Sequence, residues 1–148
     1  MEALARDEPP ADLSADTILE LLANRRRRYL LYALRQYDDP IELASVAERI
    51  AGWEHDIAPE EVSRNEYKSV YVSSVQCHVP KLADAGVVDH NEENHSVVLA
   101  ENYEQLEPYL RLVIVDEPRN SRLHAALEAE SGDGLIRQLR ENVARLRP

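Results

Sequence analysis

The stretch VYVSSVQCHVPKLADAGVVDH, residues 70–90, decides the reading of the chain. Val72, Val75, Val79 and Leu82 recur at helical spacing, so it predicts a helix, with Val75, Val79 and Leu82 inward. Pro80 lies inside that run. It has no N–H for the ladder and its ring crowds the preceding turn, so a kink or local irregularity is expected there. Gly86 follows the last apolar residue as a C-cap. VVDH and the later SVVL are short β-branched runs separated by the polar NEEN, which predicts a hairpin over about 87–99. The apolar pattern therefore changes from the helical period to the strand period within a few residues of Gly86.

Upstream, Pro59 with Glu60 and Glu61 suits a first helical turn. Ser63 with Glu66 three residues on forms a capping-box pattern and offers an alternative start. Leu43, Val46, Ala47 and Ile50 predict a helix over 42–53, ending near Gly52 and Trp53, with a loop after it. Asn24 is a candidate N-cap for a helix through RRRRYLLYALRQY, which Asp38-Asp39-Pro40 stops. Ile41 fits a very short strand. Ser14 or Asp16 opens the first helix, with Ile18, Leu19, Leu21 and Leu22 as its apolar stripe. Residues 1–13 are acidic with Pro9-Pro10 and are expected to be a flexible tail. Beyond residue 100, Leu106, Tyr109, Leu110 and Val113 mark another helix, and Pro118 breaks it. Weaker helical patterns cover 121–130 and 134–147. The fold class is thus mainly α with a small β-hairpin: a tail (1–13), a helix-and-hairpin domain (14–100) and a C-terminal helical extension (101–148).

Composition narrows the function. The chain has 148 residues and a net charge of −11, with 28 acidic residues against 17 basic ones, and only Lys68 and Lys81 are lysines. A carboxylate-rich, lysine-poor surface suits a high-salt cytoplasm, and a cytoplasmic location is expected. Cys77 is the only cysteine, so neither an intrachain disulfide nor a cysteine-based zinc site is expected. His55, His78, His90, His95 and His124 show no metal-ligand spacing, and no metal or other cofactor is expected. Signatures of phosphate loops, nucleophile elbows and metalloproteases are missing, so no catalytic residues are assigned and an enzyme is not expected. No apolar run approaches a membrane span.

Helix, turn, helix, then hairpin is the order of a winged helix-turn-helix. The ANRRRRYLLYALRQYDDPIELASVAERIA stretch and the 70–90 stretch resemble ArsR-type winged-helix repressors. More specifically, NRRRRY (24–29), Trp53 and the block from His78 to Val88 resemble a haloarchaeal winged-helix domain family of unassigned function, over about 14–100. That resemblance implies a winged-helix fold and a DNA-binding transcriptional regulator. It implies that the helix in 63–85 enters the major groove while the 87–99 wing meets the flanking backbone. Candidate contacts with double-stranded DNA are Arg64, Lys68, Ser69, Ser73, Ser74, Gln76, Cys77, Lys81 and His95, since Gln, Ser and basic side chains can reach base edges or phosphates. Arg25–Arg28, spread around a helix, have two readings: ion pairs and packed stems, or one or two phosphate contacts. Tyr103, Leu106, Tyr109, Leu110 and Val113 are expected at a homodimer interface. The alternative reading is a winged-helix module that binds proteins without touching DNA, which the acidic charge favours.

Overall fold

A computed structural model describes residues 12–117 and 121–131. Most of the expected acidic tail, residues 1–11, and the helix expected over 134–147 lie outside them. The elements run α1 (Ala15–Leu22), α2 (Arg25–Leu34), β1 (Ile41–Glu42), α3 (Leu43–His55), a 3-10 turn (Pro59–Glu61) and α4 (Arg64–Ser73). A π-helical turn (Ser74–His78) joins α4 to α5 (Val79–Asp84). Strands β2 (Val88–Asn91) and β3 (Ser96–Leu99) follow, then α6 (Tyr103–Val113), a 3-10 turn (Ile114–Asp116) and α7 (Ser121–Ser131). The fold is mainly helical with a small three-stranded antiparallel sheet.

Local chemistry places the helix starts. Ser14 accepts from the Thr17 amide, and Asn24 Oδ1 accepts from the amides of Arg26 and Arg27. Ser63 and Glu66 close the capping box in both directions, at 3.1 and 2.8 Å. Each cap satisfies amides that have no partner within the helix. The end of α5 is a full Schellman motif: Gly86 N–H reaches Ala83 O and Val87 N–H reaches Leu82 O, both at 2.9 Å. Gly86 has φ +74°, a left-handed conformation that any side chain would strain.

Helix α2 is the centre of the molecule. Residues 29–34 are all buried, Leu30, Leu31, Tyr32 and Ala33 completely, so every side of its second half meets protein. α1, α3, the α4–α5 segment and the sheet surround it. β3 is the middle strand, pairing with β2 (Val88↔Leu99 through Asn91↔Ser96) and with β1 (Ile41↔Val97, Glu42↔Ser96). Leu106, Leu110 and Ile114 belong to the same core as the 14–100 residues, and so do Leu123 and Leu127 of α7. Leu19, expected on the apolar stripe of α1, faces outward at 59% exposure.

The largest departure from expectation is in the decisive stretch. Pro80 does produce an irregularity, but it is a π turn rather than a kink, with Val79 N–H bonded five residues back to Ser74 O. An i→i+5 turn takes up one more residue than an α turn, so the inward face slips by about one position. Val70, Ser74, His78, Val79 and Leu82 point inward; Val75 is only half-buried and Val72 is exposed.

Candidate nucleic-acid interface

The slipped register decides which side chains the α4–α5 segment presents. Arg64, Lys68, Ser69, Gln76, Cys77 and Lys81 are exposed on it. Ser74 is buried, at 1% exposure, and cannot meet a ligand from that position. Ser73 is half-buried and committed: its hydroxyl donates to Val70 O at 3.1 Å and accepts from Arg26 at 3.2 Å. Val72 takes the outward place between Lys68 and Gln76. Spacing of four residues along 68, 72 and 76 carried that signal.

Two cations on this face have no carboxylate partner among the described residues, Arg64 and Lys68. Lys81 does have one: its ammonium lies 2.9 Å from Glu20 Oε1 of α1. That pair holds the Glu20 carboxyl below its ordinary range. Tyr67 and Tyr71 stack beside the face with ring centroids 5.6 Å apart.

The four-arginine run is largely spent inside the molecule. Arg27 is buried, its guanidinium donating to Leu21 O at 2.9 Å and Glu20 O at 2.8 Å. Arg28 donates to Leu22 O at 2.7 Å. All three carbonyls lie in the last turn of α1, where Glu20 O also takes the Ala23 amide, so α2 caps α1 with its own side chains. Arg28 also grips Glu117 with two bonds, 2.7 and 3.1 Å. Arg26 does the same to Glu54, at 2.6 and 3.0 Å, and reaches Ser69 O at 3.3 Å. It thereby fixes α4 against α2 and α3. Arg25 is exposed, its guanidinium 5.9 Å from the Tyr29 ring.

His78, turned inward by the π turn, has Nδ1 3.5 Å from the Arg27 guanidinium. Burial first, then the charges of Arg27, Arg26 and Lys81, push its pKa from 6.5 down to about 4. The imidazole is therefore neutral in the fold while the unfolded chain takes up a proton near 6.5. Its contribution is complete above that pH and is lost as pH falls toward 4. Urea midpoints measured across this window should fall with pH in the native chain and fall less in His78→Gln; equal slopes would mean that the ring titrates normally.

The β2–β3 turn carries Glu92, Glu93 and His95, all exposed, with Asp89 on β2 exposed as well. Asn91 Oδ1 accepts from the Glu93 and Asn94 amides, and His95 takes φ +52°. The tip is thus an ordered, acidic turn. On α6, Tyr103, Leu106 and Leu110 are core residues of the chain itself and leave a partner almost no surface. Val113 is half-buried and Tyr109 is 42% exposed; Leu112, at 57%, adds to that outer face.

Among the described residues no group of three His, Cys, Asp or Glu is placed to hold a metal ion, and no helix is long and apolar enough to cross a membrane. A family model described as a domain of unknown function (DUF7344) matches residues 19–98, from α1 into β3. No curated protein and no solved structure matches the chain.

Proposed function

On the premise that the chain belongs to the family of domains of unknown function DUF7344, we propose that it is a DNA-binding transcriptional regulator of winged-helix type. The α4–α5 segment enters the major groove and the β2–β3 hairpin is the wing. The observation that carries this reading is the outward row of Arg64, Lys68, Ser69, Val72 and Gln76, with both cations unpaired among the described residues. Basic side chains suit phosphate or guanine, Gln suits adenine, and an apolar side chain suits the thymine methyl. Ser73 and Ser74 have no part in it. Arg25 is the one residue of the arginine run left at the surface for a phosphate.

So few phosphate contacts fit a protein that works in high salt. Counterion release weakens as salt rises, and base contacts and shape then carry more of the affinity. A dimer formed through Tyr109, Leu112 and Val113 would match two half-sites on the duplex. The protein acts by occupancy, as a binding protein rather than an enzyme, within the cytoplasm.

The test is fluorescence anisotropy in molar KCl with a duplex from the gene's own upstream region. Saturable binding is expected. Arg64→Ala/Lys68→Ala should weaken it on all sequences and lower the salt slope by about two. Gln76→Ala should cost about 1–3 kcal/mol on the specific site alone. Absence of duplex binding, or binding indifferent to all three changes, overturns the reading. Light scattering that reports only a 16.9 kDa species at high salt removes the dimer.

A second reading has its own observation. Glu92 and Glu93 put two carboxylates at the hairpin tip, where a DNA-binding wing approaches phosphate. That charge favours a basic protein surface as the wing's partner. Co-purification of one defined protein, with no duplex bound, would support it.

A further inference from the structure

Trp53 is the chain's only tryptophan. Its ring and that of Tyr29 meet in a T-shaped contact, 6.0 Å between centroids and 83° between planes. Trp53 also lines a cleft of about 220 Å³ between the end of α3, the 57–59 loop and α7. Ile57, Pro59 and Ala126 supply further apolar wall, and two arginines, Arg49 and Arg122, line it as well. Gly52 keeps the loop close, since a Cβ there would come within 2.9 Å of Ile57 O.

The chain has a net charge of −11, so acidic side chains outnumber the basic ones that could pair with them. Neither Arg49 nor Arg122 pairs with a carboxylate among the described residues. Arg49 is nevertheless held in place, with Nη1 donating to Gln36 and its guanidinium 5.5 Å from the Tyr37 ring. The bond to Gln36 leaves other N–H donors of its planar fork uncommitted. Asp56 Oδ1 accepts from the Arg122 backbone amide at 3.2 Å, which ties the start of α7 to the end of α3 beside the cleft.

We propose that this cleft is a binding site for a small organic anion, a carboxylate carried on a flat apolar ring. The apolar walls match a ring, and the arginines match a carboxylate, which a guanidinium binds through two parallel bonds. An inorganic anion would leave the apolar walls unused, and a neutral ring would leave both charges unmatched. The volume is below the roughly 300–1,000 Å³ of drug-sized sites, so the ligand has a single ring. A guanidinium already held by Gln36 and Tyr37 loses little freedom on binding. This site does not depend on the DNA reading; either can fail alone.

The probe is benzoate, with benzamide as its neutral match, read by Trp53 emission and by titration calorimetry on the full chain. Benzoate should give a saturable change in both signals, and benzamide should bind at least ~10-fold more weakly, a loss of about 1.4 kcal/mol. Arg49→Gln/Arg122→Gln should weaken benzoate by at least ~10-fold and narrow its lead over benzamide. Ala126→Leu, which fills the cleft and leaves both arginines, should abolish binding while far-UV circular dichroism is unchanged. No saturable benzoate signal, equal affinity for the two probes, or full affinity in the double variant overturns the proposal.

Discussion

Replacing Glu117 by Leu should destabilise the protein by about 3–5 kcal/mol, the usual cost of removing one partner from a buried ion pair. Glu117 is 5% exposed, gripped twice by Arg28 and bonded by the Tyr32 hydroxyl at 2.6 Å. Its carboxylate raises the Arg28 pKa, and together with burial, the larger cause, it raises that of Tyr32. Without it, the guanidinium of Arg28, whose side chain is only 16% exposed, keeps Leu22 O alone, and the fully buried Tyr32 loses its acceptor. Urea unfolding with a two-state fit would read the loss as a lower midpoint at unchanged slope. Arg28→Met/Glu117→Leu should recover most of it, because removing both charges leaves neither unpaired. A single-variant loss below about 1 kcal/mol would place this pair among ordinary surface bridges. The consequence for the architecture is that the segment after α6 is tied to the central helix, although the family match ends at residue 98.

Gly86→Ala should cost about 2–3 kcal/mol. The left-handed conformation accounts for about 1–2 kcal/mol of that for any residue with a Cβ. The rest comes from Asn102: a Cβ at position 86 would lie 2.7 Å from its Nδ2, which donates to Ala85 O at 2.8 Å. Moving that amide gives up a hydrogen bond worth about 1 kcal/mol. Asn102 N–H also donates to Gly86 O at 3.0 Å, so the strain falls where helix α5, strand β2 and the start of α6 meet. Thermal and urea unfolding of Gly86→Ala and of Gly86→Ala/Asn102→Ala separate the two causes. The double variant should relieve the crowding and keep the backbone strain. A Gly86→Ala cost under about 0.5 kcal/mol would mean that the turn can adopt another conformation.

The parts of the fold that were legible in advance depend on near neighbours. Ser14, Asn24, the Ser63–Glu66 pair and Gly86 act on backbone groups two to four residues away, so their chemistry is visible in a short window. The helix starts followed from them, and the hairpin followed from the β-branched runs on either side of the polar 91–94 turn. The π turn was not legible, because apolar spacing presupposes a constant period. A single wider turn moved Ser74 inward and left Val75 half-buried, and so took Ser74 out of the candidate face. The arginines failed to declare their roles for a different reason. Arg26 and Arg28 find Glu54 and Glu117, 28 and 89 residues away, and no local pattern distinguishes such a side chain from one awaiting a phosphate. The helix over 103–113 was legible by its stripe, but a stripe states only that one face is covered. Leu106 and Leu110 are covered by their own chain.

The two lysines, Lys68 and Lys81, both lie on the exposed side of the α4–α5 segment. Arginine performs the structural work elsewhere, so the protein carries side-chain amines on this helical segment and on no other. Amine-directed footprinting becomes a map of a single surface. Protection from acetylation reports whatever covers this face, and the two sites differ usefully, since Lys81 is paired to Glu20 and Lys68 is not.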